Sequence, residues 1–290
     1  MSRSDKHIDE VSGVETTGHE WDGIRELNNP LPAWWLWVFW VSVAVAIIYW
    51  VLLPAWPMVT TNTIGILGSS DRVNVANDMA ALEAKRGAMW QQLTSVPLES
   101  IESNPALLEF AQKAGGVAFG TNCAGCHGSG AQGAKGYPNL ADDVWIWGGK
   151  LADIQQTIRF GVRSADPETR QSQMPSFGRD EILTKDQIND VVEFVTTLSG
   201  GEANAEAAER GRTVFAEQCT VCHGDDGKGN RELGAPNLTD QEWLYGSDKA
   251  TLYETVFYAR RGVMPAWHER LDDPTIRALA VFVHTRGGGE

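Results

Sequence analysis

Cys123-Ala124-Gly125-Cys126-His127 and Cys219-Thr220-Val221-Cys222-His223 are two copies of one pattern, and together they use all four cysteines of the 290-residue chain. No thiol is left for a structural disulfide. CxxCH is the spacing of c-type haem attachment. Two thiols three residues apart on a helical turn reach the two vinyl groups of one haem, and the adjacent His lies under the iron as its proximal ligand. Two covalently bound haem c groups are therefore expected. Paired CxxC motifs can also make a zinc site, and a single CxxC can be redox-active. Neither alternative requires a His directly after each second cysteine.

The two motifs sit 96 residues apart inside a longer repeat. Gly115, Phe119 and Cys123 match Gly211, Phe215 and Cys219, each set spaced by four, which is one face of a helix leading into the motif. Gly136-Tyr137-Pro138-Asn139-Leu140 matches Gly234-Ala235-Pro236-Asn237-Leu238, followed by Trp145 and Trp243 and then Gly148 and Gly246. Leu183, Ile188, Phe194 and Val195 match Leu271, Ile276, Phe282 and Val283. The plan predicts two homologous, mostly helical domains at 104–200 and 203–290, joined through Ser199-Gly200-Gly201-Glu202-Ala203. Thr184 ahead of Gln187 reads as one helix start, and Asp273 before Pro274 as its counterpart. A glycine at 115 or 211 lets the first helix of each domain approach another closely, with Phe119 or Phe215 filling beside it.

The six methionines are Met1, Met58, Met79, Met89, Met174 and Met264. One follows each haem motif, in the same context: Met174-Pro175 and Met264-Pro265. Proline stiffens the loop that would hold a thioether against the iron. Met174 and Met264 are the expected distal ligands, with His268 and His284 as competitors in the second repeat. His/Met ligation fills both axial positions and raises the reduction potential, so each haem passes one electron and leaves no open site for oxygen or peroxide. The sequence leaves open which Met serves which haem.

Between Glu26 and Asp71 the chain has no Asp, Glu, Lys or Arg. Ala33 to Leu53 is almost wholly apolar, and at 1.5 Å per residue its length is about 31 Å, enough for a bilayer core. Its Leu, Ile, Val and Phe content is worth about -3 to -7 kcal/mol of insertion free energy. Trp34, Trp35, Trp37 and Trp40 crowd one end, with Trp50 and Trp56 at the other, as in an aromatic belt. Pro30, Pro32, Pro54 and Pro57 bracket the run. The polar segment ahead of it, with no small-x-small cleavage pattern after it, reads as an uncleaved anchor. Haem attachment takes place outside the cytoplasm in bacteria, so a single-pass chain would sit in the bacterial inner membrane with residues 1–30 cytoplasmic, 31–57 in the bilayer, and 58–103 connecting to periplasmic haem domains. His7 and His19 would be solvated.

Lys plus Arg number 24 against 38 Asp plus Glu, a net charge of -14, which excludes a nucleic-acid binder driven by phosphate contacts. Beyond residue 30 the balance is 21 basic to 31 acidic. An acidic surface of that kind speeds encounter with a basic partner.

The run Thr16-Thr17-Gly18-His19-Glu20-Trp21-Asp22-Gly23-Ile24-Arg25-Glu26-Leu27, then Pro30-Leu31-Pro32 and Trp34-Trp35-Leu36-Trp37, resembles the FixP/CcoP family, the membrane-anchored di-haem subunit of cbb3-type cytochrome c oxidases. Gly65-Ile66-Leu67-Gly68, Ala235-Pro236-Asn237-Leu238-Thr239-Asp240, Trp243-Leu244-Tyr245-Gly246 and Gly262-Val263-Met264-Pro265-Ala266-Trp267 are similar too. The resemblance implies a mainly α protein: one N-terminal transmembrane helix followed by two tandem class I cytochrome c-like domains. It implies covalent haem at Cys123, Cys126, Cys219 and Cys222, proximal His127 and His223, and distal Met174 and Met264. It also implies a subunit that is non-catalytic on its own. Such a subunit would take electrons from a periplasmic c-type cytochrome and pass them to the mono-haem subunit, and so to the catalytic haem-copper subunit. Other readings are an anchored di-haem donor to a different respiratory enzyme, and a di-haem peroxidase with one open iron.

Overall fold

The computed structural model describes residues 7–287 and 289–290. Met1 and the rest of the first six residues, part of the segment expected in the cytoplasm, lie outside the described residues. The chain divides into two compact units, Met1–Ala84 and Lys85–Glu290.

The first unit opens with a β-hairpin that the sequence reading did not anticipate. β1 (Thr16–Trp21) pairs antiparallel with β2 (Ile24–Leu27), Trp21 opposite Ile24 and Glu20 opposite Arg25. The turn is Asp22-Gly23, with φ of 50° and 84°. Two successive positive φ angles make a type I′ turn, whose twist matches the strands it joins, and Asp-Gly is a favoured pair for it. His7 and His19 are exposed.

α1 (Ala33–Leu52) follows, 20 residues with a mean hydropathy of 2.1 and no buried residue in the chain itself. Bare backbone carbonyls at the end of such a helix are costly near lipid. Here the chain doubles back to cover them. Ile66 N–H donates to the Val51 carbonyl at 2.9 Å and Leu67 N–H to that of Leu52 at 3.0 Å. Gly65 makes this possible, because its φ is +73° and a Cβ there would sit 2.5 Å from the Leu52 oxygen.

α2 (Asp71–Ser95) runs from the first unit into the second, and its last turns join the core there. Leu93 is fully buried, and together with Leu98 and Ile101 it packs on Leu107, Ala111, Ala278 and Val281. Trp90 meets Phe110 edge to face and donates to Asp272.

The second unit contains α3 (Pro105–Asn122), α4 (Ala124–His127), α5 (Leu151–Phe160), α6 (Lys185–Leu198), α7 (Ala205–Gln218), α8 (Thr220–His223), α9 (Lys249–Tyr258) and α10 (Asp273–His284). Side-chain caps begin the longer helices. Asn104 accepts from Leu107 N–H, Asn204 from Ala207 N–H, and Thr184 with Gln187 forms a full capping box. At α10 the cap is Asp272, which accepts from Thr275 N–H, one residue ahead of the Asp273 expected from the sequence.

The helices do not pack by repeat. α6, the last helix of the first repeat, packs on α7 and α9 of the second; α10, the last helix of the second, packs on α3 and α5 of the first. The two repeated glycines make both contacts. A Cβ on Gly115 would lie 2.2 Å from the Ala278 oxygen of α10, and one on Gly211 would lie 1.9 Å from the Asp190 oxygen of α6. Phe119 then packs on Phe282 with tilted rings, and Phe215 on Phe194 in the same way. The segments 104–200 and 203–290 are thus sequence repeats whose final helices are exchanged. The loops are reciprocal as well: Gly136 lies against Tyr245, and Gly234 against Trp147.

Candidate functional site

Each CxxCH occupies a single helical turn, α4 or α8, set at the end of the preceding long helix. Cys123 N–H bonds the Phe119 carbonyl at 2.8 Å and Cys219 N–H that of Phe215 at 2.9 Å, so the buried aromatic of each long helix fixes where its motif begins. Gly128 and Gly224, with φ of 78° and 75°, end the turns. None of the four thiols is in a disulfide, and burial pushes Cys123 and Cys219 up to about 11.

The two histidines are held identically. His127 Nδ1 bonds the Pro138 carbonyl at 3.0 Å, and His223 Nδ1 bonds the Pro236 carbonyl at 3.0 Å. These prolines belong to the repeated Gly-x-Pro-Asn-Leu runs, which the sequence showed without a role. A ring that donates Nδ1–H to a backbone oxygen keeps Nε2 as a lone-pair donor, the arrangement usual for metal-ligating His. Burial lowers both pKa values, and the bond to the proline carbonyl opposes that shift. The net direction favours the neutral, ligating form.

Both motifs and both methionines line one cavity of about 1390 Å³. That exceeds the roughly 300–1,000 Å³ of a single small-ligand site. The helix exchange decides how the methionines divide. Met264 packs with Cys123, Trp145 and Trp267 against the core of Phe119, Ile154, Ile158 and Leu279. Met174 packs with Cys219 and Trp243 against the core of Phe215, Val191, Val192 and Leu252. His268 and His284 are engaged elsewhere. His268 bonds Asp166 at 2.6 Å, His284 bonds Glu102 at 2.7 Å, and neither lines the cavity.

The residues suit covalent haem. The thiols are free, each motif offers one His nitrogen, and the indole Nε1–H of Trp243 is buried with no acceptor. An orphaned donor in a cavity wall implies a polar group of something that fills the cavity. Two arginines brace matching wall residues, Arg260 from within the wall and Arg170 from behind it, and they were not visible as a pair in the sequence. Arg170 stacks on Trp147 at 5.3 Å and bonds Thr157, while Arg260 stacks on Tyr245 at 4.9 Å and bonds Thr255. Trp147 and Tyr245 match in the repeat, as do the two threonines, but the arginines reach them from unmatched positions.

Comparison with known proteins agrees with this architecture. Residues 13–60 match the N-terminal domain of cytochrome oxidase-cbb3, FixP. Residues 112–199 match cytochrome c, and 206–283 match cytochrome c oxidase, cbb3-type, subunit III. The cbb3-type cytochrome c oxidase subunit FixP of Bradyrhizobium sp. (strain ORS 278) is 53% identical over 284 residues, 98% of each chain. The corresponding FixP subunit of Sinorhizobium medicae is 51% identical over the full length of both. The CcoP subunit of Azospirillum brasilense is 50% identical, covering 98% of this chain and 99% of its own. Two cytochrome c domains of this kind carry two covalently bound haem c. With free CxxCH thiols in both halves, an exposed apolar helix ahead of them and similarity along its whole length, the chain belongs to the FixP/CcoP family of cbb3-type cytochrome c oxidase subunits.

Proposed function

We propose that this chain is the di-haem electron relay of a cbb3-type oxidase and that its two haems are ligated crosswise. In this reading Cys123, Cys126 and His127 hold one haem, whose distal ligand is Met264 of the other repeat. Cys219, Cys222 and His223 hold the second, whose distal ligand is Met174. Haem bound there supplies reversible one-electron transfer. The protein's part is to fix His127 and His223 through the Pro138 and Pro236 carbonyls, to exclude water with the aromatic walls, and to bring both groups into one cavity. The packing of Met264 with Cys123, and of Met174 with Cys219, is the observation that carries the proposal.

In the same reading α1 anchors the relay in the inner membrane, with the haem body periplasmic and the hairpin cytoplasmic. Electrons come from a periplasmic c-type cytochrome and leave through the mono-haem subunit to the catalytic haem-copper subunit. The acidic balance beyond residue 30 suits a basic donor.

Met264→His and Met174→His test the crossing. Each should lower the midpoint potential of one haem, because a second imidazole replaces the thioether. Combined with Cys123→Ser/Cys126→Ser, which leaves only the second haem, Met264→His should have no further spectral effect and Met174→His its full effect. The opposite pattern would mean own-repeat ligation. Purification in mild detergent tests the assembly: the haem-copper subunit should co-purify with this chain.

A further inference from the structure

The exchange forces two strands of chain past each other beside the cavity. Val162 N–H bonds the Met264 carbonyl at 3.0 Å, and Met264 N–H bonds that of Val162 at 2.9 Å. The next residue, Arg163, has a φ of 52° and turns its side chain into the crossing. Its Nε donates to the Gly262 carbonyl at 2.8 Å and its Nη1 to the Ser172 carbonyl at 2.9 Å. Gly262 is two residues before Met264, and Ser172 is two residues before Met174. One guanidinium therefore bonds the equivalent carbonyl in both methionine loops.

Position 261, which matches 163 in the repeat frame of Gly148 and Gly246, is also arginine. Arg261 bonds neither carbonyl, so the pair of loops is served from one side only. Among the described residues Arg163 has no carboxylate partner, and both of its side-chain bonds go to these backbone oxygens. The planar fork of arginine makes two directional bonds at a fixed angle, which the single ammonium of lysine does not.

We propose that Arg163 is the positioning residue for both axial methionines, a shared tie that sets the two iron–sulfur contacts together. This rests on Met174 and Met264 being the distal ligands, whichever haem each one serves. Losing the tie frees both loops at once, so both haems respond to one substitution. Removing a positive charge from the cavity wall favours the ferric state, and loosening a thioether does the same, so both potentials fall.

The test is Arg163→Gln in the full-length, haem-loaded chain. Haem content, the far-red methionine-to-ferric-iron charge-transfer band and both midpoint potentials are read. The expected result is two haems per chain, loss of the band at both, and a fall in both potentials. Arg261→Gln removes a nearby charge without touching the tie and should keep both bands. If Arg163→Gln fails to accumulate, Arg163→Lys is read in the same way, with both bands weakened in parallel. A change at one haem only, or at neither, overturns the proposal. Met174→Ala and Met264→Ala identify the cause of a negative result. If neither removes a band, the ligand assignment fails and the tie fails with it. If each removes one band while Arg163→Gln spares either, the tie alone fails.

Discussion

The core around Cys219–His223 and the core around Cys123–His127 are built from matching parts, yet the chain assembles them differently. The first draws on Met174, α6, α7, α8 and α9, a continuous stretch whose principal contact, α6 on α7, spans a turn of a few residues. The second takes α3, α4 and α5 from before that stretch and α10 from after it, so Asn122 and Asp273 bracket a whole intervening core. In sequence order the Cys219 core is a permuted copy inserted into the Cys123 core. Loop closure over a long intervening chain costs more entropy than closure over a short one, and local contacts form faster. Two cores of equal architecture thus differ in when they can form and in what they depend on. The Cys123 core has a further support that its twin lacks, the layer of Leu93, Leu98 and Ile101 at the end of α2.

Deleting residues 272–290 breaks the comparison most severely. It removes α10, so the Cys123 core loses the partner of Gly115 and Phe119 although its own haem motif is untouched. The expected outcome is one haem per chain with an intact methionine band, assigned to Cys219/Cys222, and proteolysis confined to the other core. Conversely, a fragment spanning 162–262, which keeps Arg163 with its bonds to Ser172 and Gly262, should fold alone and hold one haem with Met174, checked by circular dichroism and haem content. A fragment spanning 104–200 should not.

Finer changes sharpen the same contrast. Gly115→Ala and Gly211→Ala each drive a methyl into a backbone carbonyl of an exchanged helix, and overpacking of this kind costs about 1–3 kcal/mol. Calorimetry should show Gly115→Ala lowering the transition of the Cys123 core and Gly211→Ala that of the Cys219 core. Loss of a helix cap is worth about 1 kcal/mol. Asp272→Ala should therefore weaken the Cys123 core through α10, and Thr184→Ala the Cys219 core through α6, by that amount in urea titrations. The smallest effect is at Asp166. The hydrogen bond from His268 holds its carboxyl below the usual range. A depressed carboxyl pKa contributes stability above the ordinary Asp range and loses it as the pH falls through the lowered value. The urea midpoints of the parent and Asp166→Asn should differ at neutral pH and converge in acid.

Much of this was legible in the chain because the chemistry is local. CxxCH fixes thiols and a His on one turn, the spacing of Gly115, Phe119 and Cys123 fixes a helix face, and Ala33 to Leu53 fixes an exposed apolar helix. The exchange was not legible, since Gly115 and Gly211 announce that another helix comes close without saying which. Repeats with similar apolar faces can pair within or between copies, and the deciding geometry lies in the short turn between α6 and α7. Arg170 and Arg260 were hidden for a related reason: alignment finds matched positions, and these two reach matched places from unmatched ones. The hairpin was missed although Asp22-Gly23 is a strong turn signal, because the alternating residues around it are mostly polar and bury little.

The doubled-back turn at Gly65–Leu67 also limits how far the anchored chain can reach. Residues 54–67 would extend by about 50 Å if drawn out straight, but here that length is folded back onto the last carbonyls of α1. Only Gly68, Ser69 and Ser70 then separate this turn from α2. A shorter connection raises the effective concentration of whatever it tethers at a neighbour of the tether's origin.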